Sequence, residues 1–307
     1  MAMQTAETVI IGAGQAGVPL ARALAEAGRD ILLVERDALG GSCVNFGCTP
    51  SKAVIASARL AAQARRAAEW GVTIPTVEVD FAAVMDRARS LVAEQRGELE
   101  ESFRQPGAAR LLRGEARIEG QDGNRFRIRA GEAVVLADRL VLDTGSRAAR
   151  PDLPGLEQVP LIDSRNWIDL RERPGHLLFL GGGTIALELA QAFRRLGSAV
   201  TIVEAGPQLT EREDPDVAEV LQRTLEAEGI AIHLGAKPER VEAGGEGVRL
   251  HLGGRVLEGT HLFLATGRQA NTDTLGLESI GLHPGAKGVL EGDERLRTGV
   301  DGGFAAG

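Results

Sequence analysis

Hydrophobic positions along the chain follow one pattern twice. Residues 8–11, Thr-Val-Ile-Ile, form an unbroken apolar run that stops at Gly12, and an amphipathic stretch from Val18 to Ala27 follows, closed by Gly28. A second run, Asp30 to Val34, ends on Glu35. The same order returns far downstream. Leu177-Leu-Phe-Leu180 runs into glycines, an amphipathic stretch continues to about Leu196 with Gly197 as its stop, and Ala199-Val-Thr-Ile-Val203 ends on Glu204. Short apolar runs bounded by glycine predict strands covered on both faces, as in parallel sheets, and the 3.6-residue spacing between them predicts helices. Each repeat reads strand, glycine turn, helix, strand, acid: a doubly wound, Rossmann-like α/β fold formed twice.

The intervening segments fill in the layout. Helical patterning covers Lys52–Trp70 and Phe81–Gln105, separated by Gly71-Val-Thr-Ile-Pro75. The second stretch places Phe81, Val84, Met85, Ala88, Leu91 and Val92 on one face, a core face rather than a site. From Ala109 to Asp143 the alternation shortens and predicts a β-meander with a turn at Gln121-Asp-Gly-Asn124. Two buried strands close on matching turns, Leu140–Leu142 before Asp143-Thr144-Gly145 and Leu262–Leu264 before Ala265-Thr266-Gly267. Pro151 and Pro154-Gly155 mark a linker. The expected division is a first nucleotide-binding domain at 1–149, a second at 150–268 inserted into it, and a return to the first at 269–307.

The glycines carry chemistry. Gly12-x-Gly14-x-x-Gly17 sits between a strand and a helix, the setting that makes this spacing specific for a dinucleotide. Gly14 lets backbone approach a pyrophosphate, the helix N-terminus offsets its charge, and Glu35 can accept from a ribose hydroxyl. In the second repeat Gly181 and Gly183 keep their places while Ala186 replaces the third glycine. Glu204 accepts from a free 2′-hydroxyl and repels a 2′-phosphate, which favours NAD; Arg212, the nearby cation, lies in the mostly acidic Glu211-Arg-Glu-Asp214.

Composition narrows the class. The chain has 307 residues, 43% hydrophobic and 25% charged, with a net charge of −8 and no basic tract, so nucleic acid is not an expected partner. Met1–Glu7 lacks a basic leader, and no apolar run approaches the ~20 residues of a membrane span. A soluble, cytoplasmic protein is expected.

Cys43 and Cys48 are the chain's two cysteines, in Gly40-Gly41-Ser42-Cys43-Val44-Asn45-Phe46-Gly47-Cys48-Thr49-Pro50-Ser51-Lys52. A structural staple, half a metal site and a redox couple are the three readings of such a pair. A zinc site needs further ligands that the sequence does not supply nearby, so no metal is expected. A domain of this size buries a core without a staple. In a regular helix residues five apart have Cα atoms about 8.6 Å apart, too far for a relaxed disulfide. Gly40, Gly41 and Gly47 allow the backbone to leave helical geometry. Pro50 suits a first helical turn, placing Cys48 at a helix N-terminus whose dipole favours the thiolate that exchange requires. A redox couple fits the spacing and setting best.

Gly41-x-Cys43-Val-Asn-x-Gly-Cys48-x-Pro-Ser-Lys52 resembles the active-site motif of the class I pyridine nucleotide–disulfide oxidoreductases, among them glutathione reductase, dihydrolipoamide dehydrogenase and mercuric reductase. The resemblance extends through Asp143-Thr-Gly145, Ala265-Thr-Gly267, Arg268-x-x-Asn271-Thr272, Leu296-Arg-Thr298 and Phe304-Ala-Ala-Gly307, and the Val-Asn and Thr-Pro-Ser-Lys detail is nearest to mercuric reductases. It implies FAD in the first fold, with Gly41, Ser42, Thr144 and Gly145 joining its glycines. It places NAD(P)H in the second, with Thr266 and Gly267 at its closing turn. It implies that Cys48 lies against the flavin, that Cys43 attacks the acceptor, and that Lys52 near the flavin pairs with Glu188. The acceptor is then a disulfide or Hg(II), and the full-length family is homodimeric.

Three departures stand out. Ala186 is common among NADP users of the family and opposes the NAD preference of Glu204, whose charge against a phosphate outweighs one methyl in a turn. Thr184 occupies the place of an aromatic gate, and the chain contains no tyrosine. The family also continues past the final Ala-Ala-Gly into an Asp and a C-terminal dimerisation domain, so the chain reads as truncated. The leading expectation is an FAD- and NAD(P)H-dependent oxidoreductase that is mercuric-reductase-like. A dihydrolipoamide dehydrogenase-like enzyme, an oxidase or diaphorase, and an inactive nucleotide-binding fragment are the alternatives.

Overall fold

A computed structural model of the chain describes residues 3–245 and 247–306. Gly307, which ends the Phe304-Ala-Ala-Gly307 match, lies outside the described residues. In chain order the structure begins with β1 (Met3–Ile11), α1 (Gly17–Glu26), β2 (Ile31–Glu35), α2 (Gly41–Asn45), α3 (Cys48–Arg65) and α4 (Phe81–Ser102). Five strands follow: β3 (Arg110–Arg113), β4 (Ala116–Asp122), β5 (Arg125–Ala130), β6 (Ala133–Leu142) and β7 (Ser146–Ala148). Then come β8 (Leu161–Ile162), β9 (His176–Leu180), α5 (Thr184–Arg195), β10 (Ala199–Val203), α6 (Pro215–Ala227) and β11 (Ala231–His233). The remainder is β12 (Arg240–Gly244), β13 (Gly247–Leu252), β14 (Arg255–Gly259), β15 (His261–Leu264), β16 (Arg268–Ala270) and β17 (Gly303–Ala305). No helix among the described residues is long and apolar enough to cross a membrane.

The chain forms two compact units, one of Met1–Asn45, Val92–Arg147 and Arg268–Gly307, the other of Phe46–Leu91 and Ala148–Gly267. In the first, the sheet order is β3-β2-β1-β6-β5-β4, with β17 also paired to β6. β3, β2, β1, β6 and β17 are parallel, and β5 and β4 are antiparallel additions. Alternation along β1 separates two cores. Val9 and Ile11 pack with Ile118, Phe126 and Ile128 of the antiparallel strands, while Ile10 packs with Val18 and Ala21 of α1. Burial on both faces explains why the end of β1, Thr8–Ile11, reads as an unbroken apolar run.

The second unit repeats the plan. Its sheet, β11-β10-β9-β15-β8, is parallel throughout. Leu177 and Phe179 of β9 face a core containing Leu189 and Phe193 of α5, with Phe179 stacked on Phe263 at 4.7 Å. Leu178 and Leu180 face Val241, Val248 and Leu250 of the three-stranded antiparallel sheet β12-β13-β14. Both Rossmann-like sheets are thus covered by helices on one face and antiparallel strands on the other.

Two expectations shift. Of the predicted meander, only β4, β5 and β6 are antiparallel, and β3 instead extends the parallel sheet beside β2. The helix expected to reach Trp70 ends at Arg65, and Ala67–Trp70 forms a tighter 3₁₀ turn closed by Gly71 at φ 76°.

Candidate active site

The first glycine turn is built by close backbone contact. Gly12 has φ 106°, and a Cβ there would lie 1.9 Å from the carbonyl oxygen of Asp143. A Cβ on Gly17 would lie 2.0 Å from the Gly12 oxygen, so α1 can begin only where both residues lack side chains. Gly41 follows the same logic against Gly14, with 2.7 Å from its would-be Cβ to the Gly14 Cα. The start of the cysteine segment therefore rests on the nucleotide turn. Thr144 and Gly145 close the turn after β6, where their carbonyls accept from Asn271 Nδ2 (2.9 Å) and Asn271 N (3.0 Å). Ser42 is on α2, next to Cys43.

Two carboxylates organise this turn. Glu35 accepts from the backbone N–H of Ala13 at 2.8 Å and of Asp37 at 2.7 Å. Asp143 is buried and accepts from Gly17 N at 2.7 Å and Gly14 N at 3.2 Å. Burial pushes the Asp143 carboxyl above its ordinary range; the N–H groups of Gly17, Gly14 and Ala16 oppose that rise, and the negative charge of Glu35 adds to it. In the sequence Asp143 reads only as part of a turn. The signal available was its contrast with Ala265 in the matching place.

The second turn uses the same device at its acid. Glu204 accepts from Gly182 N at 2.6 Å and Gly206 N at 2.7 Å, spacings of 22 and 2 residues that match those of Glu35. Gly181, at φ 100°, would place a Cβ 2.3 Å from the Ala265 oxygen, and Ala186 is fully buried behind it. Gly183 differs. A Cβ there would meet nothing within 4 Å, and the first turn of α5 has no side-chain cap. Open space at an uncapped helix start, with a carboxylate acceptor at the end of the next strand, fits a dinucleotide. Thr266 Oγ1 donates to Ala149 O at 3.0 Å, and Ala149 N donates to Gly267 O, tying the closing turn.

The cysteines lie on consecutive helices. Cys43 is half-buried on α2; Cys48 is exposed and is the first residue of α3. Gly47, at φ −106° and ψ −106°, breaks the path between them. One turn into α3, Lys52 Nζ meets Glu188 Oε2 of α5 at 2.5 Å. Both side chains are about half-exposed, so the pair fixes orientation more than stability. Lys52, Ile55, Arg59, Glu188, Gln191 and Arg195 line an open cleft of about 390 Å³ between these helices. Asn45 of the cysteine motif is held at the end of α2 by Arg96, a residue with no motif around it, and Trp167 Nε1 donates to Phe46 O at 2.8 Å.

The profile of the pyridine nucleotide-disulphide oxidoreductase family matches residues 6–307. The chain belongs to this family. It is 35% identical over 304 residues to a mercuric reductase of Streptomyces lividans, covering 95% of this chain and 63% of that protein. It is 33% identical over 310 residues to a dihydrolipoyl dehydrogenase of Chlamydia muridarum, covering 98% and 65%. Its fold is similar to the Cu(II) complex of the HOCl-induced flavoprotein disulfide reductase RclA from Escherichia coli, with a TM-score of 0.88 at 31% identity, covering 99% of this chain and 66% of that one. The chain thus spans somewhat under two thirds of the length of the curated relatives it matches. Family members use FAD and NAD(P)H, and each unit of this chain carries one glycine turn between a strand and a helix.

Proposed function

We propose that the chain acts as an FAD-dependent oxidoreductase that passes electrons from NAD(P)H to Cys43 and Cys48 and on to a disulfide or Hg(II)-type acceptor. The observation that carries this reading is the Lys52–Glu188 contact. It joins the helix that begins at Cys48 to the helix that follows the second glycine turn, so one fixed cation lies between the redox and nucleotide machinery of that unit. Gly12, Gly14, Gly17, Glu35, Gly41, Ser42, Thr144 and Gly145 would hold FAD. Gly181, Gly183 and Glu204 would hold NAD(P)H, with Thr266 and Gly267 supporting their turn. FAD, when bound, supplies the two-electron carrier between nicotinamide and disulfide. Glu188 keeps the Lys52 ammonium directed, Cys48 at its helix start is the inner thiol, and Cys43 is the thiol that meets the acceptor.

Relatives named mercuric reductase and dihydrolipoyl dehydrogenase match at comparable identity, 35% and 33%. The motif detail around Val44-Asn45 and Thr49–Lys52 favours an Hg(II)-type acceptor, with lipoamide second. The test is steady-state NADH oxidation by the FAD-loaded chain with Hg(II), lipoamide or oxygen as acceptor. Cys48→Ser is expected to lower Hg(II)- or lipoamide-dependent turnover by at least ~10²-fold while sparing any oxygen reduction. Unchanged turnover would make the chain a diaphorase that bypasses its cysteines.

Glu204 also carries a cofactor preference, because its charge opposes a 2′-phosphate. NADH is expected to reduce bound flavin faster than NADPH at equal concentration. The reverse order in a stopped-flow comparison would assign Glu204 to turn geometry alone.

A further inference from the structure

We infer that Arg96 is a positioning residue for Cys43, acting through Asn45; the inference rests on the redox role proposed above. Asn45 is the last residue of α2, two places after Cys43, and its side chain is 3% exposed. Its Nδ2 donates to the carbonyls of Leu39 and Gly41, each at 2.9 Å, which ties the end of α2 back to the residues that precede it. Its Oδ1 accepts twice from the guanidinium of Arg96, from Nε at 3.0 Å and from a terminal nitrogen at 2.7 Å. These bonds leave Asn45 with one geometry, and a buried amide in one geometry holds its backbone in one place.

The same face of α4 adds a packing contact. Leu99, one turn beyond Arg96, lies close enough to Gly40 that a Cβ there would sit 3.0 Å from its Cδ1. Gly40 and Gly41 both have positive φ, 94° and 59°, so the loop before Cys43 lacks the backbone restraint that side chains provide. Its order comes in part from the glycine turn beneath it, where Gly40 N donates to Ala13 O at 2.8 Å, Gln15 Nε2 donates to Gly40 O at 3.2 Å and Gly41 meets Gly14. The rest comes from α4 on its other side, through Leu99 and through Arg96 on Asn45. The five-residue helix α2 is far shorter than a helix that persists alone in water.

The chemical consequence concerns closure of the disulfide. Bonding Cys43 to Cys48 requires a narrow range of Cα separations. A loop already held in one conformation gives up little entropy on closing, and a frayed loop gives up more. Loss of the Arg96 clamp is therefore expected to make the disulfide easier to reduce. In the measured reaction the two thiols give two electrons and two protons to glutathione disulfide. The Cys43–Cys48 S–S bond forms and two molecules of glutathione leave.

The experiment equilibrates the 307-residue chain with defined ratios of glutathione and its disulfide, then quenches with acid, alkylates and measures the oxidised fraction by mass. Arg96→Ala is expected to shift the equilibrium constant about 10-fold towards the dithiol, about 30 mV for a two-electron couple. Arg96→Lys, which keeps a charged donor, should fall between Arg96→Ala and wild type. A merely structural role would lower the thermal midpoint and leave this equilibrium in place. Should Arg96→Ala not fold, Arg96→Gln carries the same expectation at smaller size. A folded Ala or Gln variant with the wild-type equilibrium overturns the inference alone. A wild-type chain that forms no Cys43–Cys48 disulfide under glutathione disulfide overturns the redox reading and the inference together.

Discussion

The two glycine turns meet the same steric demand with different neighbours. In each, the first glycine presses against a carbonyl of the closing strand, Gly12 against Asp143 and Gly181 against Ala265. In each, an acid accepts from the turn residue 22 places before it and from the residue two places after itself. The difference lies in the closing residue. Asp143 fills its turn with a carboxylate that takes the N–H groups of Gly14 and Gly17, whereas Ala265 offers only a methyl and leaves Gly183 beside open space. One turn is organised by its own chain; the other keeps its helix start available. The same sequence signature therefore covers two physical situations, one turn whose Gly14 and Gly17 N–H groups meet a carboxylate of the chain and one whose second glycine has free space around it.

The largest expected effect comes from adding one methyl to each turn. Gly12→Ala would place a Cβ inside a backbone carbonyl at a φ that L-residues avoid, and is expected to cost more than about 4 kcal/mol, enough to unfold its unit. Gly183→Ala, at φ −80° with free space around it, is expected to change stability by less than about 1 kcal/mol. It should still weaken NADH binding by about 10-fold, because the methyl would stand where a pyrophosphate approaches. Urea titrations and NADH fluorescence on both variants check this. Comparable stability losses in the two would show that the openness of the second turn is not what distinguishes it.

A smaller effect isolates the Asp143 carboxylate. Asp143→Ala makes the first turn resemble the second and leaves two N–H donors without their acceptor. The expected cost is about 1–3 kcal/mol. Amide exchange should rise at Gly14 and Gly17 in particular. A variant as stable as wild type, with those amides unchanged, would mean that other groups order the turn.

These contrasts mark what the sequence made legible. Apolar runs, glycine spacing and terminal acids were enough to find both turns, because each is made from residues close together in the chain. Pairing between distant elements was not visible. β3 reads as part of a meander because Arg110–Arg113 is short and half polar, and only β2 beside it makes it a parallel strand. Arg96 is 51 residues from Asn45, with nothing in either residue's surroundings to link them. Glu35 and Glu204 read in the sequence as ribose acceptors, and their closing of the glycine turns appears only in three dimensions. The Lys52–Glu188 contact came from resemblance, since each residue alone reads as a solvated charge.

The smallest expected effect is a difference in sign between the units as pH falls. His176 and His261 of the second unit are half-buried, and burial pushes both below the ordinary histidine range. His176 Nε2 also lies 2.9 Å from Thr201 Oγ1. In the unfolded chain both would take up protons near pH 6.5. Their contribution to folding is therefore fully present above that pH and is lost as pH falls towards the lower folded values. Asp143 in the first unit works the other way. Its folded carboxyl holds a proton to higher pH than the unfolded value near 3.9, so its contribution is full at low pH and declines as pH rises. Lowering pH from 7 to about 5.5 should thus loosen the second unit while Asp143 takes nothing from the first. The carboxylates held low by arginine partners, such as Glu119 and Asp273, lose their contribution only at more acid pH. Amide exchange of β9 and β15 against β1 and β6, corrected for intrinsic rates, reads the difference directly. Replacing His176 and His261 with Gln should flatten the response of the second unit. Equal protection changes in the two units would show that other titrating groups, and not these histidines, govern acid lability.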